Sequence, residues 1–152
     1  MEFYQLWFAV RYVHVVSAAV LTGGALLVAA LWIVPDALGV DAALAAASAY
    51  EWTFWSVAGI TAVTGVSNLG LKSEGLLGPA TGWGAALSIK LGTVLALLAL
   101  SLMRSDTVIR TRALARRSAW RLRIVLGAAY WLTVVMFLVA LWLGLGLAHG
   151  RY

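Results

Sequence analysis

The chain has 152 residues, of which 63% are hydrophobic and 11% charged, and its mean hydropathy of +0.94 excludes an ordinary water-soluble domain. It contains no cysteine, which excludes disulfides, iron–sulfur clusters, thiolate metal sites, cysteine nucleophiles and covalent c-type haem attachment. The net charge of +5 identifies a partner only once the basic residues are placed relative to the apolar runs.

A helix that crosses a bilayer needs about 20 residues, so this length accommodates four helices with short connections. The expectation is an all-α fold, an integral membrane four-helix transmembrane bundle, with residues 1–152 forming a single transmembrane domain. The first span covers residues 12–34, is interrupted only by His14, Ser17 and Thr22, and stops at Pro35-Asp36. The start Met1-Glu2-Phe3 lacks a basic n-region and the apolar run after it is too long for a signal peptide, so no cleaved leader is expected. Asp36, Gly39 and Asp41 then break the chain. The alanine-rich stretch 42–50 is predicted to be helical and to extend the second span, residues 52–71, which holds no charge.

Gly75, Gly78, Pro79 and Gly82 mark the next turn. The third span covers residues 83–103 with Lys90 inside it, and the fourth covers 124–148 without a charge. Between them, residues 104–123 read as a basic loop carrying Arg104, Arg110, Arg112, Arg116, Arg117, Arg121 and Arg123, most of the 11 basic residues. The positive-inside rule makes this loop cytoplasmic and puts both termini outside the cytoplasm, in a multi-pass protein of the cell's inner (plasma) membrane. So short a basic loop between two spans is a topology signal that meets anionic lipid headgroups, and no nucleic-acid partner is expected.

Ionisable groups in hydrocarbon cost about 2.5–3.5 kcal/mol on insertion scales, which makes His14 and Lys90 the first residues to consider for chemistry. Both fall in the outer leaflet, near Arg11, Asn68 at the end of span two, Trp83, and His149 at the end of span four. His14 shares a helix face with Ser17, Ala18, Leu21 and Ala25, small residues that let a helix or a flat ligand approach. The Lys90 face carries Ala86, Thr93, Val94, Leu97 and Ser101. On the fourth span Trp131, Leu138, Trp142 and His149 align, and the second offers Thr61, Thr64, Ser67 and Asn68. Simpler readings exist for each: a histidine bonded to a neighbouring carbonyl, a lysine that snorkels, an interfacial histidine anchor, an aromatic belt.

An imidazole in an apolar four-helix bundle, with an arginine one turn above it, suits haem b. His14 serves as axial iron ligand, His149 or Lys90 supplies the opposite face, and Arg11 meets the propionates. A copper site fits less well, because soft Cu(I) prefers sulfur ligands and Met103 and Met136 lie away from this layer. Hydrolysis lacks a carboxylate within a span to act as base.

The run His14-Val-Val-Ser-Ala-Ala-Val-Leu-Thr-Gly23-Gly24 resembles the first-helix motif of the copper resistance D (CopD) family. Thr64-Gly65-Val-Ser-Asn68 is similar to the close of that family's second helix, and Gly82-Trp83 with Ile89-Lys90-Leu91 to its third. Related four-helix proteins include the HemJ-type protoporphyrinogen oxidases, which bind haem b and depend on a first-helix histidine and a third-helix lysine, matched here by His14 and Lys90. The resemblance implies a haem-binding membrane oxidoreductase, cytochrome b-like, acting in electron transfer or in oxidation of a small reduced substrate. Lys90 is then the catalytic acid–base residue, and His14, His149, Arg11 and Asn68 surround the cofactor. A redox partner protein or quinone completes the reaction, and small-residue stripes allow a homodimer. The alternatives are copper or other cation transport of the CopD type, and a cofactor-free subunit of a respiratory complex.

Overall fold

The computed structural model describes residues 2–34, 39–70, 81–114 and 119–149. The expected turns at Pro35-Asp36 and at Gly75, Gly78 and Pro79, together with Leu71, Arg116, Arg117 and Gly150-Arg151, lie outside the described residues. Four helices account for almost everything described: α1 (Glu2–Ile33), α2 (Val40–Gly70), α3 (Gly82–Leu114) and α4 (Ala119–Ala148). They run up and down in sequence order, with α1 packed on both α2 and α4, α3 on α4, and α2 touching α3 over a shorter stretch.

Each helix exceeds its expected span. At 1.5 Å per residue, the 32 residues of α1 reach about 48 Å, against about 30 Å of hydrocarbon. The largest departure is at 104–123, where the expected loop is mostly helix: α3 continues through Arg104 to Leu114, and α4 begins at Ala119. The arginines end the apolar run and leave the helix intact, because Arg is a good helix former and no Gly or Pro intervenes. The expected helical extension over 42–50 is present as the start of α2.

By length and composition, α1, α3 and α4 can each cross a membrane, whereas α2 is not among the helices that qualify. Its first half carries Asp41 and Glu51 among alanines, and its second half is rich in Thr and Ser. It stands in the bundle because its neighbours hold it there. Hydroxyls along the helices bond back to carbonyls four residues earlier, as Thr22 does to Ala18, Thr61 to Val57, Ser88 to Gly84 and Thr133 to Ala129, so they enter an apolar surround already satisfied. Thr81 caps α3, its hydroxyl accepting from the Gly84 amide at 3.0 Å.

Two apolar cores form. The larger lies toward the end holding the arginines, here called the basic end, and joins Leu21, Val28, Trp32, Phe54, Leu97, Val108, Leu126, Tyr130 and Phe137. A smaller one at the distal end joins Trp83, Ala86 and Leu147. Between them lies a thinly packed layer: no residue of α2 between 55 and 68, of α3 between 87 and 96, or of α4 between 138 and 145 is buried.

The tightest helix approach in the large core is at Gly24, where a Cβ would lie 2.7 Å from two ring carbons of Tyr50. Gly24→Ala is therefore expected to cost about 1–3 kcal/mol by overpacking, while Gly23→Ala, with nothing within 4 Å, is expected to be neutral or slightly stabilising. Thermal melts of the two variants in detergent distinguish them.

Candidate functional site

His14 and Lys90 both sit in the thin layer. His14 is half-buried and turned toward α2. Its Nδ1 lies 3.0 Å from the Thr61 carbonyl oxygen and 3.1 Å from the Thr64 hydroxyl. A carbonyl only accepts, so Nδ1 carries the proton. The Thr64 hydroxyl hydrogen is spent on the Ile60 carbonyl at 2.8 Å, and its oxygen therefore also accepts from the ring. Gly65 makes this approach possible, since a Cβ there would come 3.2 Å from His14 Cε1. The result is an imidazole of fixed tautomer with Nε2 left as a lone-pair donor, the arrangement that metal-ligating histidines adopt.

Lys90 is half-buried on α3 and reaches α4, where its Nζ would be 3.1 Å from a Cβ placed on Gly144. Counting along the antiparallel helices from the close approach of Trp32 and Gly127 puts His14 level with residue 145, the same height as Gly144. Lys90 and His14 are near enough to interact electrostatically. The structure thus brings together the two ionisable residues that stood out in the sequence.

The other expected site residues are placed differently. Arg11, one turn beyond His14, is half-buried with its guanidinium 5.2 Å from the centre of the Trp7 ring. Asn68 carries a buried Oδ1 without a hydrogen-bond partner. His149 is exposed at the tip of α4, its Nδ1 bonded to the Leu145 carbonyl of its own helix at 2.8 Å. The stripe it shares with Trp131, Leu138 and Trp142 is exposed throughout, so this face looks away from the other helices. The reason is general for a helix in lipid: the outward face is as apolar as the core, and an aromatic stripe does not mark the interior. Trp83 is buried, and its Nε1 donates to the Leu147 carbonyl at 3.4 Å. Among the described residues no group of three or more His, Cys, Asp and Glu is placed to hold a metal ion.

A second polar centre, absent from the sequence reading, lies inside the large core. Glu51 and Arg104 are 6% and 1% exposed. Arg104 Nε donates to Glu51 Oε1 at 2.7 Å and Nη2 to Oε2 at 3.2 Å, a forked pair. Tyr130 donates to Oε1 at 2.6 Å and Ser105 to Oε2 at 2.5 Å. Arg104 Nη1 donates to the Thr133 hydroxyl at 2.6 Å, and its guanidinium carbon lies 4.6 Å from the centre of the Tyr130 ring and 5.2 Å from those of Tyr50 and Phe54. Tyr50 in turn donates to the Leu21 carbonyl at 2.9 Å and Trp55 to the Ser105 hydroxyl at 3.0 Å. All four helices take part. Arg104 falls in the expected basic loop and Glu51 just ahead of the second span, so each stands at the edge of an apolar run; the signal that points inward is the aromatic setting of Glu51, between Tyr50 and Phe54.

This centre has no unpaired charge and no acceptor left for a substrate, which marks it as a fastening. Removing either partner leaves the other charge buried: Arg104→Leu or Glu51→Leu alone is expected to cost about 3–5 kcal/mol, and the double variant to recover most of it. The measurement is the melting temperature of the three variants in one detergent.

Comparison with family models, with curated proteins and with solved structures returned no match.

Proposed function

We propose that the chain is a haem b-binding membrane redox protein with His14 as an axial ligand. One observation carries the reading: an imidazole fixed through Nδ1 by Thr61 and Thr64, with Nε2 unspent, in a layer where α2, α3 and α4 bury no residue of their own. A flat macrocycle needs a thin layer of this kind, and it brings four of its iron's donors with it, so one or two side chains suffice where a protein-only copper site needs three or more.

When bound, the haem supplies one-electron chemistry. The chain's own residues do the rest. The Thr61 carbonyl and Thr64 oxygen hold the ring orientation and raise the basicity of Nε2. Arg11, one turn nearer the distal end, is the cation suited to propionate carboxylates, and Asn68 offers a buried amide. Lys90, level with His14 and without a hydrogen bond among the described residues, can hold or deliver a proton at Nζ or bind an anionic substrate group. It is favoured over His149 as the residue facing His14, because His149 is turned outward. The CopD and HemJ resemblance supports this reading, since the histidine and lysine it singles out are the two ionisable residues of this layer. The substrate is then a small reduced molecule, such as a porphyrinogen, or another electron carrier. The basic end faces the cytoplasm by the positive-inside rule.

The purified protein is expected to show a Soret band that His14→Ala abolishes and His149→Ala leaves unchanged. Lys90→Ala separates two roles: loss of a six-coordinate low-spin spectrum makes Lys90 the second ligand, and an unchanged spectrum with lost substrate oxidation makes it an acid–base group. A colourless protein, or a Soret band indifferent to His14→Ala, overturns the reading.

A further inference from the structure

The thin layer is open on one side. Near the basic end α2 and α3 are bonded to each other, Arg112 donating to the Ser48 hydroxyl at 2.9 Å and Trp55 to the Ser105 hydroxyl at 3.0 Å. Eighteen residues make about five turns and bring a helix back to the same direction, so Val66 points as Ser48 does, and Val94 as Arg112 does. On helices in continued contact these two valines would meet, yet they are 71% and 37% exposed. Ala62, about two turns beyond Trp55, is exposed as well, and so is Leu91. The helices have parted beyond Trp55, and the next closure is the small distal core, against which Leu69 packs. Between them lies a window about 21 Å tall, the rise from Trp55 to Leu69. The neighbouring seams are bridged at this height, by His14 on Gly65 between α1 and α2 and by Lys90 on Gly144 between α3 and α4.

Lys90 adjoins this window, one helical turn from Val94. Its Nζ lies against Gly144, on the α4 face that also carries the buried Leu126 and Phe137, so the ammonium is held inside the bundle and not drawn out to the surface. A molecule that comes through the window crosses lipid to reach it, passes Ala62, Val66, Leu91 and Val94, and finds a hydrogen-bond donor at the end. It must be apolar along its length and uncharged at its head, because a phosphate or carboxylate headgroup stays at the membrane surface, where water solvates it. A quinone meets both demands: ring and isoprenoid tail dissolve in the bilayer, and the carbonyl oxygens accept hydrogen bonds. We propose that the layer is entered sideways from the bilayer, between α2 and α3, and that the molecule admitted is a quinone, one ring oxygen accepting from Lys90 Nζ and the tail leaving past Val66 and Val94. The redox use of that ring rests on the haem reading above, with Lys90 free of the iron; the entrance rests on the parting of α2 and α3 alone.

The test is photolabelling of the full chain in phosphatidylcholine liposomes with a short-tailed azidoquinone, the labelled peptides being located by mass spectrometry. Label is expected on residues 62–66 and 91–94, and an excess of decylubiquinone is expected to remove it where an equal excess of oleic acid does not. Ala62→Trp and Leu91→Trp fill the window from positions already exposed, which leaves both cores intact. These two variants and Lys90→Ala are each expected to cut labelling about tenfold, for Lys90 the scale of one charge-assisted hydrogen bond, while Val63→Trp, on the outward face of α2, leaves it unchanged. Label spread evenly over the lipid-facing helices, labelling untouched by the two window tryptophans, or equal competition by oleic acid overturns the proposal. The Soret band is read on the same samples. A colourless protein that still labels at the window fails the haem reading and leaves the entrance standing, whereas a Soret band with evenly spread label fails the entrance alone.

Discussion

The buried pair of Glu51 and Arg104 is the constraint on which the rest of the bundle depends. Two charges in an apolar core are tolerated only when every donor and acceptor is met, and here the partners come from all four helices: Glu51 and Tyr50 from α2, Arg104 and Ser105 from α3, Tyr130 and Thr133 from α4, and the Leu21 carbonyl from α1. Such a set of bonds admits one rotation and one height for each helix. Apolar packing alone admits many, since in lipid the outer faces are as hydrophobic as the inner ones. The pair thus acts as the register pin of the fold, and the close approach of Gly24 to Tyr50 lets α1 come within reach of it.

Fixing register at the basic half is what allows the distal half to be thin. Once the large core and the ion pair set the helix heights, and Trp83, Ala86 and Leu147 close the far end, the layer between them keeps its shape without filling itself. His14, turned to α2, and Lys90, reaching α4, then stand at a common height although α2 and α3 meet mainly near the basic end, through Glu51, Trp55 and Ser48 with Arg104, Ser105 and Arg112. Rigid support on either side of a loosely packed layer is the arrangement that preorganises a binding site.

The sequence shows some of this and hides the rest for physical reasons. Length and apolar runs reveal the helices, and the small-residue face of α1 is read correctly, since Ser17, Leu21 and Ala25 are buried. Lys90 and His14 stand out because ionisable groups in a span are rare. The end of α3 is missed because charge ends an apolar run without ending a helix. The face of α4 is missed because Trp131 and Trp142 look outward to lipid, while the polar Tyr130 and Thr133 look inward. Glu51 and Arg104 are hidden by separation: they stand 53 positions apart in sequence, and nothing local in either neighbourhood names the other.

That separation also bears on how the chain is made. Glu51 leaves the ribosome well before Arg104, by about 3–10 s at ~5–20 residues per second, and it lies on the one helix that does not qualify as a span on its own composition. Alone, α2 has little reason to remain in hydrocarbon, with an acidic side chain unmatched and a polar second half. Arg104 supplies the counter-charge, and α3 carries it in on a helix apolar enough to insert unaided. The place of α2 in the bundle is accordingly tied to α3, which brings the counter-charge that Glu51 needs.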